Sequence, residues 1–144
     1  MLINIAITKL FSMYDIELQK DREHVNSYYY KSKNEYGQII TLEIYEIYKE
    51  PGFMNVTFYI ATKRKNGFQE NLIVGKDGMK SLSWAKQCLM NFINNNIWKN
   101  FLKGKVLLVY PANNRLRRIY ERSLIPIGFK VAKNKDKPLY LKLI

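Results

Sequence analysis

Between Gln38 and Asn94 the spacing of apolar residues changes once and sharply. Over Gln38–Tyr48, Leu42 and Ile44 alternate with Thr41, Glu43 and Tyr45. A period of two is that of a half-buried strand, whose side chains point alternately to its two faces. From Ser81 to about Asn94 the apolar residues fall instead at Leu82, Ala85, Cys88/Leu89 and Phe92/Ile93. That three-and-four spacing is the mark of an amphipathic helix of three to four turns. A chain that reads this way builds a sheet first and lays helices against it. The pattern predicts an α+β domain with a mixed sheet rather than a bundle or a sandwich.

Turn chemistry divides the rest. Lys49-Glu-Pro-Gly52 ends the first strand, since Pro presets one dihedral and Gly supplies the permissive one. Phe53–Ala61 then reads as an antiparallel partner, Lys63–Gly67 as a polar turn, and Phe68–Val74 as a shorter strand. Ser27–Tyr30 is a further strand candidate behind a turn at Asp21–Asn26. The run Val74-Gly-Lys-Asp-Gly-Met-Lys80 leads through a two-glycine loop into the helix. After Gly104, Lys105–Tyr110 is a nearly continuous apolar run, as expected of a buried central strand, and Pro111 stops it. Asn113 or Asn114 can cap a second helix, Arg115–Leu124, with Leu116, Ile119/Tyr120 and Ser123/Leu124 as its buried stripe. Ile125–Gly128 closes that helix. Phe129–Val131 and Leu139–Ile144 form a last hairpin around the turn Lys133–Pro138.

The 144 residues read as one domain, 1–144, long enough to bury about two-thirds of its unfolded-chain surface without disulfides. The single Cys88 excludes an internal disulfide and a cysteine zinc site, and on the helix stripe it reads as a small hydrophobe. The single His24 leaves no histidine cluster for a metal, and its charged neighbours place it at the surface. Residues 1–11 are apolar but carry Asn4 and Lys9, with no basic n-region or small-residue cleavage site, and no run reaches the ~20 apolar residues of a membrane span. The expectation is a cytoplasmic protein that engages no membrane.

Lys and Arg number 24 against 12 Asp and Glu, a net charge of +12. An excess of this size favours polyanions: nucleic acid or a phosphate-bearing ligand. Usage heavy in Lys, Asn, Ile and Tyr also suits an AT-rich genome, a compositional source for the same charge.

The second half resembles the GNAT superfamily of N-acetyltransferases. The residues that carry the resemblance run from about Gln69 to Ile144, about half the chain: a strand, a glycine loop, a helix, and then Val106-Leu-Leu-Val-Tyr-Pro-Ala-Asn113-Asn114, a helix bearing Tyr120, and Gly128-Phe129 opening the final hairpin. The resemblance implies a GNAT-like mixed, mainly antiparallel sheet with helices packed on it, and acetyl-CoA as cofactor. Carried over, Val74, Gly75, Lys76, Gly78 and Lys80 would hold the pyrophosphate, Asn113 or Asn114 would meet the pantetheine arm, and Tyr120 would be the acid that reprotonates the leaving thiolate. Glycines and N–H groups at a helix N-terminus suit an anion. The family's loop reads Arg/Gln-x-x-Gly-x-Gly/Ala; with Gly78 as its first glycine, Gly75 stands at the Arg/Gln position and Lys80 at the small one. Glu43, Glu46 and Glu70 are the strand carboxylates available as a general base. Small GNAT-like proteins of this cut resemble phage accessory or virion proteins, which implies a protein without the chemistry as the alternative.

That alternative has its own residues. Arg115, Arg118 and Arg122 recur at three and four, which sets their guanidinia on one helical face with Arg117 alongside. Arginine forks suit phosphate. The alternative expectation is therefore a basic protein that binds nucleic acid or a protein partner there, with exposed members of Tyr28–Tyr30 stacking on bases. Tyr120 equally fits its helix's apolar stripe, where a tyrosine needs no function, and the glycine loop equally fits an ordinary strand-to-helix turn.

Overall fold

The computed structural model describes residues 14–24, 26–64, 67–71, 78–95 and 100–144. In chain order its elements are β1 (Gln19–Lys20), β2 (Ser27–Lys33), β3 (Ile39–Glu46), β4 (Phe53–Arg64), β5 (Gly67–Asn71), α1 (Gly78–Asn94), β6 (Val106–Val109), α2 (Asn114–Leu124), β7 (Lys130–Asn134) and β8 (Lys137–Leu143). The sheet is ordered β1-β2-β3-β4-β6-β8-β7, with β5 bonded to β4 off that path. Each pairing is antiparallel except that of β4 with β6. The architecture is the α+β one that the change of period predicts: a mixed, mainly antiparallel sheet with helices packed on it.

Register puts one continuous apolar face on the sheet. Tyr28 and Tyr30 of β2, Ile40, Leu42 and Ile44 of β3, and Met54 and Val56 of β4 alternate inward and are buried. Leu107 and Val109 of β6 and Tyr140 of β8 continue the same face. Both helices lie on it. Trp84 of α1 packs against Phe58, with ring centroids 6.3 Å apart, and Tyr120 of α2 meets Tyr140 edge-on at 6.4 Å. Tyr30 Oη donates to Asn91 Oδ1 of α1 at 2.8 Å, and Tyr140 Oη to the Arg117 carbonyl of α2 at 2.8 Å. The period of two sorts the three tyrosines: Tyr28 and Tyr30 are core residues, and Tyr29 between them keeps partial exposure on the other face.

The central helix begins at Gly78, three residues before the apolar stripe suggests, and its buried side is broader than Leu82, Ala85, Cys88, Leu89 and Phe92. Ser81 and Trp84 are buried as well, Trp84 with its indole N–H donated to the Asp15 carbonyl at 2.9 Å, so that no polar group goes unpaired there. Asn113 is the residue that caps α2: its backbone is extended and its Oδ1 accepts from Leu116 N–H at 2.9 Å. A 3-10 turn, Ile125–Ile127, follows, and Gly128 ends it at φ 101°, a conformation that favours glycine. A Cβ there would also run into the Lys142 amine. Phe129 then donates its N–H to the Leu124 carbonyl at 3.1 Å and buries its ring. The last hairpin turns on Lys135 and Asp136 alone, both at positive φ, as a two-residue turn between antiparallel strands requires. Among the described residues no helix is long and apolar enough to cross a membrane.

Phe92 is fully buried and touches the Tyr28 ring at 5.7 Å between centroids, so it ties α1 to β2. Phe92→Ala should cost about 3–5 kcal/mol by loss of burial plus the cavity left behind, read from urea denaturation midpoints at unchanged slope. A loss under 1 kcal/mol would show that α1 does not anchor this sheet.

Candidate functional site

The parallel pairing of β4 with β6 lasts four rungs, Phe53–Val56 against Val106–Val109. Farther along, the same edge of β4 carries β5 over Ile60–Arg64. Ile60 and Ala61 pair with β3 and β5 at once, so β5 and β6 share one edge of β4. The Ile47 N–H donates to Phe53 O at 2.9 Å, and Val106 N–H to Gly52 O at 2.7 Å. Phe53 therefore turns its peptide groups toward β3 and Gly52 toward β6. The register with β3 is unbroken, so Met54, Val56 and Phe58 turn theirs to the β6 edge.

A cleft of about 180 Å³ opens at this place. Val56 and Phe58 of the sheet, Leu82 and Leu89 of α1, and Leu116 and Ile119 of α2 form its walls. Its polar lining includes Tyr120, Ser123, Thr57, Asn55 and Lys86. The half-buried state of Ile119, Tyr120 and Ser123 follows from this: the stripe of α2 sends Leu116 and Leu124 into buried positions and opens the remainder onto the cleft.

Tyr120 differs from the tyrosines around it. Tyr30, Tyr59 and Tyr140 donate to Asn91, Glu43 and the Arg117 carbonyl. Tyr45 accepts from Asn55 Nδ2 at 2.8 Å. The Tyr120 hydroxyl has no hydrogen-bond partner among the described residues, and it lines the cleft. Burial alone pushes its pKa up to about 12, so it holds its proton throughout the neutral range. Cys88 is buried in the core, where burial raises its thiol and keeps it inert.

The structure brings some of the sequence-predicted residues to the cleft and leaves others away from it. Tyr120 lines it; Asn113 is spent on the cap and is exposed, as is Asn114 in the first turn of α2. Gly78 and Lys80 stand in the first turn of α1 and not in a loop, and Lys80 pairs with Glu35 at 3.1 Å. Val74, Gly75 and Lys76 lie outside the described residues. Glu43 accepts from Tyr59 Oη at 2.7 Å on the sheet face opposite the helices, and Glu46, at the end of β3, accepts from Asn26 and from Lys105 at 3.3 Å. His24, exposed, pairs with Asp21 at 2.9 Å. There the Glu23 N–H and the His24 ring hold the Asp21 carboxyl below its usual range. Arg115, Arg117, Arg118 and Arg122 are exposed on α2 and make no ion pair with a described residue. Among the described residues no group of three or more His, Cys, Asp or Glu could hold a metal ion.

Two features at the cleft escape a reading of the sequence by motif. Lys86 follows Leu82 by four residues and precedes Leu89 by three, which puts a cation on the apolar stripe itself. That interruption was a visible signal. The second, the β4 edge that β5 and β6 share, left none, because it depends on two separate pairings. No family model, curated protein or solved structure matches the chain.

The raised pKa of Tyr120 has a consequence for stability. A tyrosine near 10 when unfolded and near 12 when folded contributes stability that is present below pH 10 and lost as pH rises through 12. Denaturation midpoints should hold level from pH 7 to 9 and fall between 10 and 12. Tyr120→Phe should make that fall shallower; an unchanged alkaline limb would place the hydroxyl in solvent.

Proposed function

We propose that the chain is a GNAT-like acyltransferase whose donor, acetyl-CoA, lays its thioester arm in the cleft between β4 and β6. The observation that carries this is the pairing of a short parallel ladder with a tyrosine hydroxyl that has no described partner in the opening beyond it. The residues present suit such an arm. The walls are apolar, and the Tyr120 hydroxyl offers a donor among them. The donor supplies an acyl group activated as a thioester. Tyr120 holds a proton at Oη up to about pH 12, as a proton donor to a developing anion must. The N-terminus of α1, with Gly78 and the Lys80–Glu35 pair beside it, is the anion-favouring end of that helix.

Titration calorimetry with acetyl-CoA tests the reading. Saturable binding in the micromolar range is expected. Tyr120→Phe should keep that affinity within about threefold while lowering the single-turnover rate on a primary-amine acceptor by 10²–10⁴-fold. The reading fails if no heat of binding is seen at high micromolar donor.

A second reading has its own observation, the row Arg115, Arg118 and Arg122 left exposed and unpaired among the described residues on the outer face of α2. A basic, non-catalytic accessory protein would meet the phosphates of nucleic acid there. Binding of a labelled DNA duplex should then weaken steeply with salt, and Arg115→Ala with Arg118→Ala should lower the log–log slope by about 1.8, near 0.9 per lost contact. An unaltered slope would remove this reading.

A further inference from the structure

Among the described residues lining the cleft, Lys86 is the single charged one, and no carboxylate faces it. Its side chain is half-buried, and it makes no ion pair with a described residue. Lys105, also half-buried, is matched: it sits at 3.3 Å from Glu46 and over the Phe101 ring at 4.9 Å. A half-buried lysine lining an apolar cleft, with no counterion among the described residues, is the complement of an anion, and attraction between charges is stronger there than at an open surface. Its place on α1 sets it apart from the helix N-terminus. Lys86 is eight residues beyond Gly78, about 12 Å along the axis at 1.5 Å per residue.

We infer that the cleft binds an amphiphilic anion, with its apolar body against Phe58, Leu89 and Ile119 and its carboxylate or phosphate head at Lys86 Nζ. Size bounds the body. An apolar cavity of about 150 Å³ accepts benzene, so a cleft of about 180 Å³ holds a chain of roughly six to eight heavy atoms. A lysine acts as a point charge and does not select between carboxylate and phosphate by fork geometry. The inference uses the cleft of the acyl-transfer reading and adds to it a ligand group of fixed sign. It does not need the chemistry. If both hold, the acceptor carries an anionic end close to the reacting atoms.

The test uses the whole chain and probes without a CoA moiety, so that it stands or falls separately from acetyl-CoA binding. Hexanoate, hexyl phosphate and hexan-1-ol are titrated into ¹⁵N-labelled protein, and the amides of Leu89, Val109 and Tyr120 are followed. Hexanoate or hexyl phosphate should saturate these shifts with at least tenfold tighter binding than hexanol, and the better of the two identifies the head group. Lys86→Met, which keeps the stem, should bring the preferred anion to the affinity of hexanol; Lys86→Arg should restore most of the difference. The inference is overturned if hexanol binds as well as both anions, if Lys86→Met leaves the anion preference intact, or if no probe moves the cleft amides.

Discussion

Four rungs of parallel ladder, Phe53–Val56 with Val106–Val109, decide the shape of everything around the cleft. Their shortness has a local cause on each strand. β6 stops because Tyr110 is followed by Pro111, which has no N–H to give to a ladder, and Asn113 immediately turns the chain into α2. β4 does not stop; it runs on to Arg64 and pairs with β5 along the same edge over Ile60–Arg64. The opening lined by the two helices lies beyond the last rung of the parallel ladder.

The same geometry explains why α2 carries more apolar surface than its core contacts need. A helix laid flat on a closed sheet would bury its whole stripe. Here Leu116 and Leu124 are buried, while Ile119, Tyr120 and Ser123 between them keep partial exposure. The stripe is shared between two jobs, packing and lining. Gly128 and Phe129 hold the arrangement from the far end: the glycine ends the 3-10 turn at positive φ, and the buried phenylalanine fixes where β7 begins. A shift of α2 along its axis would move Tyr120 and the capping Asn113 together.

What could be read from the sequence divides along the same physical line. Period and turn chemistry are local, and they located β3, β4, α1, β6, α2 and the final hairpin to within a few residues. The cap at Asn113, the stop at Pro111 and the Gly128-Phe129 step were all legible because each rests on one residue's own backbone preference. Two things were not. The alternation in Ser27–Lys33 needed a partner strand to say which tyrosines face inward. The sharing of one β4 edge by β6 and β5 depends on two pairings, one with residues some fifty positions away and one with the next hairpin, and no window of sequence contains both. The start of α1 at Gly78 was obscured for a different reason. Gly78, Met79 and Lys80 carry no apolar periodicity, and glycine reads as a turn even where it opens a helix.

The net charge of +12 resolves into groups with different surroundings, and the surroundings decide what each can do. Lys80 and Lys105 are paired, with Glu35 and Glu46. Four of the twelve acidic residues, Asp21, Glu23, Glu43 and Glu46, line one hollow near the end of β3, together with His24 and Lys49. The arginines of α2 stand in water, where a pair of charges at 4 Å gains about 1 kcal/mol and salt screens the field within about 10 Å. A ligand held by that row alone would be released by modest salt. Lys86 sits between apolar walls, where the same pairwise attraction is larger and screening weaker. On the readings proposed above, one cation there would count for more than several on the outer helix face in selecting a small ligand, while the outer row would govern how a large polyanion is met.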